Sequence, residues 1–240
     1  MKVIAISIIS LLVTGGAVSY WHFAPTPKTT ATTIVHDITD SLQVLPEERT
    51  LHRVYGWGDN IWQGGHLRYA LVSDMALEDV YEVSISRTRH GLVKNETKRM
   101  EDIQRFINGI SKAFKEASER MIGKPKSSIY TTIAEELNRL GVTEADEKHM
   151  LIYSNLREHS SLLNLYSKRI LVELKENPET IKRKLLEAVP LDDLDGITVH
   201  FIYKPIDAND SEIYLHMVSV YEEMITEKRG TVSIGTRLSL

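Results

Sequence analysis

Cysteine is absent from the 240-residue chain. Its absence excludes disulfides, thiolate metal sites, a cysteine nucleophile and lipid attachment at a lipobox cysteine. The compartment stays open, because an extracytoplasmic protein can do without disulfides. A long basic run is missing too. The longest cluster, Lys182-Arg183-Lys184, sits in a helical pattern as a solvated face, and the formal net charge is −4, so a nucleic acid is not the expected partner. No Gly-x-Ser-x-Gly elbow supports an esterase. The glycine-rich stretch GWGDNIWQGG, Gly56 to Gly65, lacks the Lys-Ser/Thr pair and the following helix of a phosphate loop. The nine histidines include no His-x-x-x-His pair on a helix and so form no metal pattern.

What is present is an ordinary globular composition, 42% hydrophobic and 26% charged, which suits one domain with an appendage. The appendage is N-terminal. No charge falls between Lys2 and Lys28, and Val3 to Phe23 is long enough to span a bilayer. As a membrane anchor it would place Tyr20, Trp21 and Phe23 in an interfacial belt. As a cleavable signal peptide it would use Ala17-Val18-Ser19 as a loose cleavage site. Both readings place the body at or beyond a membrane, anchored with an extracytoplasmic body in the first and secreted in the second. Residues 1–27 are therefore set apart as anchor or signal plus spacer, and 28–240 as one domain. Pro25, Pro27 and the threonines from Thr29 read as an extended spacer, with the folded body starting near Thr32.

The body alternates between two periods. Ile103, Phe106, Ile107, Ile110, Phe114, Ala117 and Met121 share one helical face, and Ile129, Ile133, Leu137 and Leu140 share another, closed by Gly141. Asn177-Pro178 opens a helix buried through Ile181, Leu185 and Leu186, and a last helix covers about Asp210 to Lys228. Strand-like runs lie between: Thr32–His36, Leu67–Ser73, Val80–Ser86, His149–Ser154, Ile197–Tyr203 and Thr231–Ile234. The second and third are close enough for a hairpin. The others are separated by helices, which favours parallel pairing. The expected fold is α/β, a Rossmann-like three-layer sandwich. Its sheet has six strands, mostly parallel with one antiparallel, and helices lie on both faces. Ligands of such sheets bind beyond the carboxyl ends of the strands, where the strand order reverses.

That address is occupied here by Asp37-Ile38-Thr39-Asp40-Ser41. An aspartate with hydroxyls at alternate positions suits a hard cation such as Mg2+, which prefers oxygen ligands and keeps some waters. The same residues also suit the N-cap of a following helix. The pattern resembles the metal-ion-dependent adhesion site of the von Willebrand factor type A domain family, written Asp-x-Ser-x-Ser with a distant threonine and a distant aspartate. Asp37, Thr39 and Ser41 match the first element, with threonine for the first serine. The stretch KSSIYTTIAEEL puts Ser127 where the family's threonine stands, with Ser128 beside it. The stretch HMLIYSNLREHS puts Asn155 where the family has the aspartate of a Thr-Asp-Gly segment. The substitution of Asn155 removes a charge, so the resemblance implies a weaker ion site than an intact one. Asp40 and Asp74 are candidates to compensate.

The resemblance implies a protein-binding or assembly module rather than an enzyme, with Mg2+, Mn2+ or Ca2+ held by Asp37, Thr39, Ser41, Ser127 and Asn155. A metal-dependent phosphoester hydrolase using the same oxygens, and a metal-free scaffold, are the alternatives. Ser127 and Ser128 also fit as helix caps, and Asn155 as a turn residue. Trp57 and Trp62 read either as partner anchors on a glycine-rich loop or as rings packed on the body.

Overall fold

The structure is a computed structural model that describes residues 26–40, 42–72, 80–88, 95–119 and 126–238. The N-terminal apolar segment, Ser41, Asp74 and Met121 lie outside the described residues. Among those described, no helix is long and apolar enough to cross a membrane.

Six strands form one sheet: β1 (Thr29–Asp37), β2 (Gly64–Val72), β3 (Val80–Ile85), β4 (Glu147–Tyr153), β5 (Ile197–Ile202) and β6 (Thr231–Gly235). Their order is β3-β2-β1-β4-β5-β6, and every pairing is parallel except β2 with β3. The helices are α1 (Glu48–Val54), α2 (Glu96–Glu119), α3 (Ile129–Gly141), α4 (Lys168–Glu176), α5 (Pro178–Ala188) and α6 (Ala208–Glu227). The fold is therefore the expected three-layer α/β sandwich. Chain order reverses between β1 and β4, which makes the carboxyl ends of those two strands the switch point.

Strand alternation divides the core. Ala31, Val35, Met150, Ile152, Val199 and Phe201 pack with α3, α4, α5 and α6 on one face. Ile34, Leu67, Tyr69, Leu71, Leu151, Tyr153 and Ile202 pack with α1 and α2 on the other. The α3 stripe expected from the sequence, Ile129, Ile133, Leu137 and Leu140, is buried throughout. The last helix is buried through Ile213, Met217, Val220 and Met224.

Two boundaries differ from the sequence reading. The threonine run is not a spacer: Thr29, Thr30 and Ala31 pair with Gly64, Gly65 and His66 as the first residues of β1. Four β-branched threonines suit a pleated strand better than a linker, and three of them, Thr30, Thr32 and Thr33, are buried. β2 likewise begins inside the glycine-rich stretch. A Cβ at Gly65 would stand 2.9 Å from the Tyr55 ring, so glycine is what lets that ring lie against the strand. Tyr55 in turn stacks on Trp57 at 4.7 Å between centroids, and Phe106 of α2 meets both rings edge-on.

Candidate functional site

β1 carries its last residue, Asp37, to the switch point, and the carboxylate is fully buried there. Its Oδ1 accepts hydrogen bonds from the Thr39 amide at 3.0 Å and the Thr39 hydroxyl at 2.6 Å. Its Oδ2 accepts one from the hydroxyl of Ser154, 2.8 Å away in the segment that follows β4. Burial raises the Asp37 pKa, the Thr39 and Ser154 bonds lower it, and the charge of Asp40 raises it again. Asp37 has no ion-pair partner among the described residues.

The chain after β4 folds tightly against this point. The Leu156 amide donates to the Ser154 hydroxyl at 2.9 Å, and the Arg157 amide donates to Asn155 Oδ1 at 2.9 Å. These short side-chain loops lead the backbone through Leu156, whose φ is +57°, the left-handed region that disfavours a branched side chain. The Leu156 side chain is nevertheless 1% exposed and belongs to the core beneath α3, so apolar burial offsets the backbone strain. Asn155 Nδ2 donates to Asp40 Oδ2 at 2.8 Å, tying the β1 and β4 loops together.

The loop that precedes α3 joins the same knot. Ser127 and His159 form an antiparallel bridge, with Ser127 N to His159 O at 3.0 Å and His159 N to Ser127 O at 3.1 Å. Between them Glu158 turns inward, 1% exposed, and its Oε2 accepts the Tyr130 amide at 2.8 Å. Ser128, at the N-cap position of α3, makes no side-chain cap bond. Glu158 therefore supplies an acceptor from another loop to the orphan amides of that helix. Burial raises its pKa to about 7, with the Ser160 hydroxyl and the α3 amides opposing and Asp37 adding to the shift. Its Oε1 lacks a well-formed hydrogen bond.

Of the five residues expected to surround an ion, Asp37 and Thr39 meet directly. Asn155 lies at the same junction, with both ends of its amide engaged by Asp40 and Arg157. The Ser127 hydroxyl points to the Arg157 carbonyl at 3.4 Å, and Ser41 is outside the described residues. Trp57 and Trp62 are 3% and 4% exposed. The Trp57 indole donates to the Gln63 carbonyl at 3.1 Å, so neither ring offers a surface to a partner. Two site residues escaped the sequence reading. Ser154 closes the strand expected over His149–Ser154, and its place beside Asn155 is the signal that marks it. Glu158 carries no local signal, because its burial depends on contacts with α3.

No protein-family model matches the chain, and no curated protein gives a significant match.

Among the described residues, no three His, Cys, Asp or Glu side chains converge as a metal cage. A magnesium-class ion does not require such a cage; one or two carboxylates plus waters are its usual protein contacts. Asp37, with three of its roughly four lone-pair sites occupied, and the Thr39 oxygen are the donors that share a point. Burial and the charge of Asp40 both raise the Asp37 pKa, so a cation at this point would stabilise its ionised form. Ser127 and Asn155 would first have to release their present bonds.

Proposed function

We propose that residues 28–240 are a von Willebrand factor type A-like module that binds a protein partner at the switch-point rim. Delivery to or across a membrane is assigned to residues 1–27. The observation that carries this reading is the meeting of the first and third motif loops on one buried carboxylate, Asp37 with Thr39 and Ser154. Two further features support it. Ser127, at the second motif position, is bridged to the third loop. Leu156, at the position of the glycine in the Thr-Asp-Gly segment, has the positive φ that glycine adopts most easily.

The rim has the chemistry of a docking edge. Tyr166, in the segment before α4, is 52% exposed, and Ile206, just before α6, is 63% exposed. Arg157 lies over the Tyr166 ring at 4.8 Å, placing a cation beside an exposed aromatic group. The charges of Asp37 and Asp40 act on the same Tyr166 hydroxyl. Aromatic and aliphatic anchors next to a charged centre are what a protein partner buries. A divalent ion, Mg2+ with Mn2+ or Ca2+ as substitutes, would be held by Asp37 and Thr39 and would offset the negative charge of Asp37 and Asp40.

Thermal melting of the full-length chain with and without millimolar Mg2+, Mn2+ or Ca2+ tests the ion. A rise in Tm that Asp37→Ala removes, with the fold of that variant verified by circular dichroism, supports it; no rise in the parent chain leaves the metal-free scaffold. A photo-reactive residue at position 166 tests the partner. A discrete adduct there, and none from the still more exposed surface at Val142, supports a partner at the rim. Equal labelling at both positions, or none, removes it.

A further inference from the structure

At the other end of the sheet, the α1/α2 face carries a polar groove that the switch-point site does not use. Strand register creates it. His149 of β4 pairs with Thr198 of β5, Leu151 pairs with His200, and His200 pairs with Ser233 of β6. Side chains two apart on a strand share a face, so His149 and His200 are diagonal neighbours on one surface. Beside them lies a groove of about 510 Å3, whose lining includes both histidines, Thr198, Ser233 and Arg53 from the end of α1. The described helices of this face, α1 and α2, pack mainly over β1, β2 and β3 and leave the groove open.

The two imidazoles face one another with Nδ1 of His149 and Nε2 of His200 3.3 Å apart and their rings inclined at 35°. At that separation one ring can donate to the other, the direction depending on the tautomer. It also matches a second geometry. Two nitrogens each roughly 2.0–2.1 Å from one tetrahedral ion stand about 3.3–3.4 Å apart. The other His200 nitrogen, Nδ1, is buried without a hydrogen-bond partner and would remain so with Nε2 on an ion. Burial lowers the pKa of both histidines, that of His200 to about 4, with His149 contributing to the shift at His200 and Glu147 opposing it at His149. Both rings are neutral at physiological pH, the state in which imidazole ligates a metal.

We infer that His149 and His200 form a two-imidazole site for a first-row transition ion, Zn2+ or Cu2+, with its remaining positions open to water or a small ligand in the groove. Imidazole suits these ions and not magnesium, and the divalent series places Cu2+ tightest. Asp146 and Glu147 also line the groove but are already paired, Asp146 with Arg87 at 3.0 Å and Glu147 with Lys28 at 2.6 Å. In their present pairing these carboxylates supply no third protein ligand, which leaves the remaining positions to water or a small ligand. This site is separate from Asp37 in sequence, sheet end and ligand chemistry.

Titration of the full-length chain with CuCl2 tests the site, followed by calorimetry and pulsed electron paramagnetic resonance. The first equivalent should show coupling to two imidazole nitrogens, displace Zn2+ bound beforehand and be indifferent to Mg2+. His149→Gln, at a half-buried position, should weaken that equivalent on the order of tenfold or more, because one of two protein ligands is lost. His200→Gln should do the same; since His200 is buried, the His149 variant remains decisive if the His200 variant does not fold. Asp37→Ala should leave Cu2+ binding unchanged even if it abolishes every response to Mg2+. Equal first-equivalent affinity in the parent and His149→Gln chains, or coupling to a single nitrogen, would overturn the assignment.

Discussion

The Ser154 hydroxyl stands 2.8 Å from Asp37 Oδ2 and bridges the two strands between which chain order reverses. The same oxygen accepts the Leu156 amide, so one small side chain ties a buried carboxylate to a strained turn. Ser154→Ala removes a donor and an acceptor together at a buried position. We expect a loss of about 1–3 kcal/mol in urea unfolding, the usual cost of stranding buried polar groups. In a double-mutant cycle with Asp37→Ala the two losses should be less than additive, because the second substitution removes a partner already lost. Full additivity would mean that the hydroxyl does not serve the carboxylate.

Leu156 offers a reversal of the ordinary ranking of alanine and glycine. Both Leu156→Ala and Leu156→Gly lose a buried side chain and should cost roughly 2–5 kcal/mol. Only glycine also relieves a φ of +57°. The left-handed conformation costs other residues about 1–2 kcal/mol, so the glycine variant should be the more stable of the two. Chemical denaturation at one pH compares them directly; an alanine variant equal to or more stable than the glycine variant would show that the turn relaxes.

The fold was more legible than the site because periodicity is local and convergence is not. Alternation in Ile197 to Ile202 and the helical stripe through Ile129 and Leu137 depend on neighbours a few residues away, and both elements formed as expected. Strand order is a property of the whole chain, and nothing within β1 or β4 states that they lie side by side. The seven-residue α1 and nine-residue α4 are too short to show a persuasive period. Asp37 and Thr39 were marked by spacing. Glu158 was not, because nothing in its loop distinguishes a buried carboxylate from a solvated one; only the arrival of the α3 amides does. The tryptophans show the same limit, since Phe106 and Tyr55, which enclose Trp57, come from different segments.

Acid and base arms of the stability profile should oppose each other. Glu158 has a folded pKa of about 7, above its usual 4.5, so the native state holds its proton more tightly than the unfolded chain. Its contribution is fully present below pH 4.5 and is lost as pH rises toward 7. His36 and His200 run the other way. Burial lowers each to about 4 from 6.5, so the unfolded chain binds more protons between those values and stability rises with pH across them. With two rising groups against one falling one, the parent chain's stability to urea should rise from pH 5 to 6.5, less steeply than the two histidines alone would make it. Glu158→Gln removes the falling arm while keeping an acceptor for the Tyr130 amide, and its stability relative to the parent should climb steadily from pH 4.5 to 7. Parallel profiles for the two proteins would mean that Glu158 titrates normally.

The sheet is fastened to α3 by an ion pair whose removal should expose how costly a half-pair is. Arg68 of β2 grips Glu136 with Nε to Oε2 at 2.6 Å and its second terminal nitrogen to Oε1 at 3.0 Å. Glu136 is fully buried and Arg68 is 9% exposed, with Glu82 at 3.4 Å as a further partner for the guanidinium. Desolvating both charges consumes most of their attraction, so replacing the pair as a unit differs from breaking it. Arg68→Met alone leaves a buried carboxylate whose remaining cation is the exposed Arg139 at 3.7 Å. That variant should lose about 3–5 kcal/mol. Arg68→Met combined with Glu136→Leu fills the space with apolar groups and should recover most of the loss. If the double variant is as unstable as the single one, the pair contributes geometry that hydrophobic contacts at the β2–α3 junction cannot replace.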